Sequence, residues 1–162
     1  MDGSVLSRCE MVIGIKTDPA QIVAEVCDPE IPYLSIVDLG IVRSVEPDGQ
    51  TVTVTITPTY SGCPAMEFIR SNIIEALEAE GFEAIVRTVF DPPWTTEDIS
   101  ARGRDLLANN GIAPPEPPEA VVCPRCQSSS PRTVSEFGST ACKALMVCSS
   151  CGEPFDLFKQ LR

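Results

Sequence analysis

The architecture of the first part of this chain is set by residues 51–80, which read TVTVTITPTYSGCPAMEFIRSNIIEALEAE. The opening residues alternate strictly, with Val52, Val54 and Ile56 on one side and threonines on the other. A two-residue period built from β-branched side chains is typical of a half-buried strand. From Pro64 onward the apolar residues change to helical spacing. We therefore predict a strand, a short loop and a helix, in that order.

The predicted helix over residues 64–80 has one apolar face. Met66, Ile69, Ile73 and Leu77 recur at intervals of three and four residues, so they lie on the same side of a helix. The glycine that follows is the residue type that commonly ends a helix. This face is predicted to pack on the sheet that contains the preceding strand.

The segments on either side add two strands. Ile41–Val45 is rich in β-branched residues, and Pro47–Gln50 has the composition of a turn. These segments therefore form a hairpin with the alternating strand. Phe82–Phe90 is predicted to be a further strand after the helix.

Two more helices are predicted at the ends of this region. Residues 18–26 form a short helix that begins at an aspartate able to cap it. Thr95 and Asp98 resemble a capping box for a final helix over residues 96–109. Asp28–Pro32 contains two prolines and is predicted to be an extended loop.

The order of these elements predicts an α/β (α+β) sandwich, in which helices cover one face of a small mixed sheet. Residues 1–17 precede it as an N-terminal extension, and the α/β domain is expected over residues 18–111. Residues 112–120 contain four prolines and are predicted to form a stiff linker. A second unit is expected over residues 121–162.

The second unit carries two C-x-x-C pairs, Cys123 with Cys126 and Cys148 with Cys151. Two such pairs at the ends of a β-hairpin bring four thiolates into a tetrahedron, which predicts a zinc ribbon. A closed four-cysteine site has no open coordination position, so the zinc is expected to be structural. Rubredoxin-like iron is the alternative, because the ligand set alone does not fix the metal. The predicted ribbon strands are Thr133–Phe137 and Ala144–Val147.

Composition excludes several classes of function. The chain has no histidine, which rules out Ser-His-Asp catalysis, imidazole metal ligands and bundle-type di-iron sites that need Glu-x-x-His. The net charge is −11, and residues 1–120 hold 7 basic and 20 acidic side chains, so a nucleic-acid partner is not expected. No membrane-spanning stretch or secretory leader is evident, and the expected location is the cytoplasm.

Cys63 is the candidate functional thiol. It follows Gly62 and precedes Pro64, at the predicted start of the long helix. A helix N-terminus stabilises a thiolate, which could bind a soft metal or an iron–sulfur fragment. The alternative is a small packing residue at a helix cap.

Asp38 is the second candidate, because it lies among apolar residues just before a strand. It is either a polar partner of Cys63 or a turn cap. Asp28 and Glu30 are expected only to shape their loop.

The remaining cysteines and the single tryptophan are interpreted as packing residues. Cys9, Cys27 and Cys142 have no mutual metal-ligand spacing. Trp94 is expected to be a core or loop anchor.

Four motifs of the first region resemble a known family. Asp28–Pro32, Val37–Val42, Thr59–Pro64 and Pro92–Trp94 are similar, in order and spacing, to the SufT-like family of cytosolic iron–sulfur assembly factors. The resemblance covers about residues 18–111. It implies that Cys63 is the reactive or metal-binding residue. It also implies that Asp38 lies near Cys63.

The whole chain from residue 18 resembles the PaaD family of the phenylacetate-degradation oxygenase set, with Phe137–Ala144 between the cysteine pairs. That resemblance implies aerobic phenylacetate catabolism, in which a di-iron oxygenase epoxidises phenylacetyl-CoA and a flavin and [2Fe–2S] reductase supplies electrons. It implies an accessory or maturation role for iron–sulfur or metal centres in those partners, together with the iron–sulfur assembly machinery. A transient iron or iron–sulfur cluster on Cys63 is then expected in addition to structural zinc.

Two other functions remain open from the sequence. The chain could be a non-catalytic structural subunit of the oxygenase complex, or a thiol enzyme that uses Cys63 as nucleophile. The second is disfavoured because no histidine base exists and no other general base is evident. A dinucleotide-binding glycine motif is also absent, which counts against a catalytic subunit of the oxygenase system. The chain is therefore not expected to be catalytic alone. A homodimer that brings two Cys63 residues together would create a bridging site.

Overall fold

The computed structural model describes residues 18–161. The chain divides into two compact units between Trp94 and Thr95. The helices and strands of the described residues are, in chain order, α1 (Pro19–Ala24), β1 (Cys27–Asp28), β2 (Ile31–Ser35), β3 (Val42–Asp48), β4 (Thr51–Ile56), α2 (Ala65–Ala79), β5 (Glu83–Thr88), α3 (Ala101–Asn109), β6 (Ile112–Ala113), β7 (Pro131–Ser135), β8 (Lys143–Cys148) and β9 (Pro154–Phe158).

The first unit is built on a three-stranded sheet in the order β3-β4-β5. β3 and β4 are antiparallel and joined at Gly49, whose φ of 60° fits the tight turn. β4 and β5 are parallel, with α2 as the connection between them. The predicted hairpin, helix and following strand are therefore confirmed, and with them the small mixed sheet of an α+β fold.

The core of this unit lies between α2 and the sheet. Val52, Val54 and Ile56 are fully buried on one face of β4, while the threonines between them are half-buried. From α2, Ile69, Ile73 and Leu77 are fully buried, and burial of each contributes roughly 1.5–3 kcal/mol. The predicted apolar face is wrong at its first position, because Ala65 is buried there and Met66 is half-buried.

The predicted loop over Asp28–Pro32 is wrong, since the segment forms the hairpin of β1 and β2. The Asp28 carboxylate closes its turn by accepting the backbone N–H groups of Glu30 at 2.7 Å and Ile31 at 3.0 Å. This Asx turn gives the N–H groups of Glu30 and Ile31 an acceptor and closes the turn that follows Pro29. Pro32 is exposed within β2, and a short two-stranded sheet tolerates it.

The first and last predicted helices have different outcomes. α1 is confirmed, with the Asp18 carboxylate accepting the N–H of Ala20 at 3.0 Å. The single helix over residues 96–109 is wrong, because a short 3₁₀ turn at Thr96–Asp98 ends at the extended residue Ile99. Ser100 caps α3 by accepting the N–H of Gly103 at 2.9 Å, so the predicted helix has a second start.

The second unit contains a four-stranded sheet in the order β6-β9-β8-β7. The predicted ribbon strands correspond to β7 and β8, whereas β6 and β9 were not predicted. β6 and β9 pair in parallel, with Ile112–Ala113 opposite Asp156–Leu157. Ala113 is buried in the ribbon core, so the first residues of the predicted linker belong to this sheet.

The proline-rich segment after β6 is held by Arg104 of α3. Its guanidinium donates to the carbonyl oxygens of Pro115 at 3.0 Å and Thr96 at 2.8 Å, and forms an ion pair with Glu116 at 3.6 Å. The domain boundaries at residues 111 and 120 remain a prediction. None of the helices in residues 18–161 has the length and apolar character needed to cross a lipid bilayer.

Candidate thiol site and metal centre

The metal centre lies at one end of the ribbon sheet. The sulfur atoms of Cys123, Cys126, Cys148 and Cys151 all lie within 4.8 Å of one another. The Cys123 and Cys151 sulfurs are 3.8 Å apart, and those of Cys126 and Cys148 are 3.6 Å apart. A tetrahedral zinc with Zn–S bonds of about 2.3 Å gives sulfur–sulfur edges of about 3.8 Å. The donor set therefore fits the predicted structural zinc.

The two cysteine pairs are built in the same way. Cys123 N–H donates to the Ser128 carbonyl and Cys148 N–H to the Glu153 carbonyl, both at 2.9 Å. The residue after each pair has a positive φ, which is 62° at Gln127 and 77° at Gly152. Each pair is thus a knuckle that turns two thiols toward one point.

Backbone N–H groups at the second knuckle favour the thiolate that zinc needs. The pKa of Cys148 is lowered to about 6, mainly because the Cys151 N–H hydrogen-bonds its sulfur. The Ser150 N–H, at 3.4 Å, acts in the same direction. The second knuckle is therefore organised for binding a cation through sulfur.

Cys63 lies between β4 and α2 and is half-buried. Gly62, with φ of 80°, turns the chain before it. The Cys63 N–H donates to the Tyr60 carbonyl, and its own carbonyl accepts the N–H of Met66, both at 3.3 Å. Cys63 precedes Pro64, the residue that caps the helix.

The pKa of Cys63 is raised from its ordinary value of 9.0, which is opposite to the effect predicted from the helix N-terminus. Burial of the sulfur is the largest cause, and the negative charges of Glu30 and Asp28 add to it. The backbone N–H of Ala65 and the side chain of Thr59 act in the opposite direction but do not prevail. The surroundings of Cys63 therefore favour the protonated thiol over the thiolate.

The sequence analysis assigned Asp28 and Glu30 only to loop shape and did not connect them with Cys63. The β1–β2 turn brings both carboxylates close enough to act on the Cys63 thiol. Asp28 is itself 6% exposed. The signal in the sequence was the Asp28–Pro32 motif, which is part of the family resemblance.

Asp38 lies in the packed loop between β2 and β3. Its backbone N–H donates to the Ser35 hydroxyl at 3.1 Å, and that hydroxyl donates to the Asp38 carboxylate at 3.5 Å. These contacts are those of a turn cap. A role for Asp38 beside Cys63 remains a prediction.

The described residues contain no group of three or more close metal-ligand side chains that includes Cys63. The thiol and the nearby carboxylates could hold a metal ion only if other ligands complete the coordination shell.

Cys27 and Cys142 are not part of the four-cysteine cluster. Cys142 is buried, with its sulfur 3.0 Å from the Thr140 hydroxyl, and it is not part of the metal cluster. Cys27 is buried, as expected of a packing residue. Cys9 lies outside the described residues.

Alkylation of Cys63 is expected to titrate above the ordinary thiol value of 9.0, because only the thiolate reacts and burial disfavours it. Glu30→Gln should lower the midpoint by removing a negative charge near the sulfur. The measurement is the iodoacetamide rate against pH, followed by mass spectrometry of the peptide that contains Cys63.

Glu78→Gln, an exposed substitution near the far end of α2, is the matched control and should leave the midpoint unchanged. A midpoint below 9.0 in the wild type, or the same shift from both substitutions, would contradict this account of the thiol.

Two protein-family models match the chain. The family described as "Iron-sulfur cluster assembly protein" matches residues 21–86, which include the Cys63 site. The "PaaD zinc beta ribbon domain" matches residues 109–159, which include all four metal-binding cysteines. The zinc ribbon predicted from the cysteine spacing is thereby confirmed.

Known relatives cover the same two regions. A protein of Escherichia coli (strain K12), described as a subunit of a "Putative 1,2-phenylacetyl-CoA epoxidase", is 48% identical over 147 residues, which are 85% of this chain and 88% of the relative. A "Fe-S protein maturation auxiliary factor" of Porphyromonas gingivalis is 34% identical over 87 residues, covering 51% of this chain and 81% of that protein.

One solved structure supports the fold of the first unit. The crystal structure of a domain of unknown function, DUF59, from Bacillus anthracis aligns with a TM-score of 0.52 and 31% identity. The alignment covers 57% of this chain and 91% of that domain. The predicted fold class and the family resemblance are both confirmed.

Proposed function

Because this chain belongs to the PaaD family, together with the Escherichia coli epoxidase relative, we propose that it is an accessory protein of a phenylacetyl-CoA epoxidase system. It assists the assembly of iron–sulfur or other metal centres in the oxygenase and reductase components. It works with the iron–sulfur assembly machinery and is not itself a catalyst. The name of the Porphyromonas gingivalis relative supports the maturation role.

The observation that carries this proposal is the position of Cys63. The thiol is half-buried and experiences the negative charges of Glu30 and Asp28, inside the segment that matches the iron–sulfur assembly family. Thiolate and carboxylate are both ligands for iron, so these residue types suit iron or a cluster fragment as cargo. Asp38 is proposed to assist from the neighbouring loop.

The resting state of Cys63 fits transfer better than storage. A thiol with a raised pKa must release its proton before it can bind a metal, so cargo binds Cys63 less tightly than a thiolate formed in advance would allow. The described residues also do not supply Cys63 with a full set of metal ligands, which weakens binding of the cargo further. Both properties favour release of the cargo to a partner. They also count against Cys63 as the nucleophile of a thiol enzyme.

The test is co-expression of the oxygenase and reductase with either the wild-type chain or Cys63→Ala. With the variant, iron and acid-labile sulfide in the purified partners should fall several-fold, because the transfer thiol is lost. Ser61→Ala, an exposed change two residues away, is the matched control and should leave both contents at the wild-type level. Circular dichroism and zinc content of the variants verify that the chain still folds.

The second candidate function is a non-catalytic structural component of the oxygenase complex, which the description of the Escherichia coli relative as an epoxidase subunit favours. It predicts stable co-purification with the oxygenase and unchanged metal content with Cys63→Ala. That result would remove the maturation mechanism and leave the structural role.

A further inference from the structure

The β5 strand forms an edge of the three-stranded sheet. Among the described residues, β4 is the only strand that pairs with it. Ile85 in β5 is 40% exposed and Phe90, just beyond its end, is 65% exposed. An edge that carries exposed apolar side chains is a template for pairing with another strand.

The ladder to β4 determines which backbone groups of β5 face outward. The N–H of Glu83 donates to the Gln50 carbonyl at 2.8 Å, and that of Val89 to the Ile56 carbonyl at 2.9 Å. In a parallel ladder every second residue points toward the same neighbour. Ile85 and Arg87 therefore also face β4, whereas the N–H and C=O groups of the remaining β5 residues point to the free edge. Those residues are Ala84, Val86 and Thr88.

The side chains of β5 divide in the same alternating way. Val86 is 4% exposed and faces the core. Glu83, Ile85 and Arg87 lie together on the opposite, open face of the sheet. Glu83 accepts a hydrogen bond there from the Thr51 hydroxyl at 3.1 Å. One face of the edge thus presents an acid, an apolar residue and a base in a row.

We propose that β5 pairs antiparallel with β5 of a second copy of this chain, about a two-fold axis at Ile85. In this register Ala84 lies opposite Val86 of the second copy, and these two residues exchange backbone hydrogen bonds. Ile85 lies opposite its own counterpart. Glu83 lies opposite Arg87 of the second copy, and the symmetry repeats that ion pair.

The charges select this register among those that the backbone allows. Residues with outward backbone groups must face each other, so alternative registers differ by two residues. Either such shift separates Glu83 from Arg87 and removes both ion pairs. In the proposed register Glu83–Arg87 and Ile85–Ile85 are non-hydrogen-bonded pairs, in which side chains approach most closely. The edge is therefore self-complementary, and the product is a continuous six-stranded sheet.

The test is a charge-reversal series in the full, zinc-loaded chain, measured by sedimentation equilibrium at about 0.15 M salt, where surface charges still interact over about 8 Å. The wild type should form dimers. Arg87→Glu and Glu83→Arg each oppose like charges at two positions and should raise the dimer dissociation constant roughly tenfold or more. Each variant alone should then be mainly monomeric.

Mixing the two variants is the decisive step, because Glu83 and the new glutamate of one chain face the arginines of the other. The mixture should form heterodimers, and the double variant E83R/R87E should dimerise like the wild type. Arg70→Glu, an exposed charge reversal on α2, should change nothing.

A wild-type chain that stays monomeric up to its solubility limit would overturn the proposal. Dimers that persist in both single variants, or variants that fail to pair when mixed, would overturn it as well. Failure of the mixed variants to pair would mean that β5 does not pair with β5 of a second copy. Because sedimentation does not depend on the iron content of any partner, the outcome is independent of the proposed maturation role.

Discussion

Removal of the metal is expected to unfold the ribbon sheet of β6 to β9 while the β3-β4-β5 sheet stays folded. The ribbon core is small and includes two of the ligands, Cys123 and Cys148. The other buried residues of this cluster are Ala113, Val121, Met146 and Phe155, and Ala144 and Phe158 are buried in the same strands. So few apolar side chains do not stabilise a sheet alone, whereas zinc bound by four cysteines contributes about 10–16 kcal/mol in small domains.

Loss of one ligand should have nearly the same effect as loss of the metal. Cys148→Ser removes a buried sulfur whose thiolate the neighbouring N–H groups stabilise. Cys142→Ser is the matched control, since Cys142 is also buried in this unit but lies outside the metal cluster. We expect one zinc per chain in the control and none in Cys148→Ser.

Amide hydrogen exchange measures this prediction directly. Amides of β8 should lose protection in Cys148→Ser, and in the wild type after chelation, and should regain it when zinc is added back to the wild type. Amides of β4 should keep their protection in every sample. A ribbon that remains protected without metal would show that its apolar core is sufficient and that zinc is not needed to hold it.

The elements that sequence reasoning predicted correctly are those whose signal is local. The alternation of β4 and the helical period of α2 are each contained in one continuous segment. The two knuckles are likewise local, because four residues at fixed spacing set the ligand geometry. Local periodicity was sufficient to predict β4 and α2, because each of them has a single apolar face that packs in the core.

The errors in the fold concern elements that depend on distant partners. β6 is two residues long and exists only because β9 pairs with it some forty residues later. The β1–β2 hairpin contains two prolines, which normally argue against a strand, and the Asp28 carboxylate closes its turn by accepting the N–H groups of Glu30 and Ile31. Neither the long-range pairing nor the side-chain compensation has a periodic signature.

The candidate site shows the same division. Its location at the start of α2 could be predicted, because Gly62 and Pro64 flank Cys63 at the end of a strand. The raised pKa could not be predicted, because burial and the approach of the β1–β2 turn are tertiary properties. The helix N-terminus does act on the thiol as predicted, but desolvation outweighs it.

Substitution of Trp94 by alanine is expected to destabilise the first unit by about 3–5 kcal/mol. The indole is 3% exposed, so its removal leaves a large cavity. Its Nε1–H also donates to the Leu39 carbonyl at 2.9 Å, and this bond is buried. Trp94→Phe retains most of the apolar contact and loses this hydrogen bond, so we expect a smaller loss of about 1–3 kcal/mol.

The control is Phe90→Ala, an aromatic truncation four residues earlier at a side chain that is 65% exposed, which should change the free energy of unfolding by no more than about 0.5 kcal/mol. Urea unfolding of the zinc-loaded chain, followed by circular dichroism, gives all three values. Equal losses for Trp94→Ala and Phe90→Ala would mean that the tryptophan is not a core anchor.

The hydrogen bond from Trp94 also connects the stability of the unit to the loop that carries Asp38. Leu39, whose carbonyl accepts it, follows Asp38 directly, and the Leu39 N–H closes the turn by donating to the Ser35 carbonyl at 2.9 Å. Trp94→Phe should therefore raise amide exchange in this loop selectively, while β4 stays protected. If the loop keeps its protection in Trp94→Phe, the packing of its buried neighbours Ile36 and Ile41 alone holds Asp38 in place.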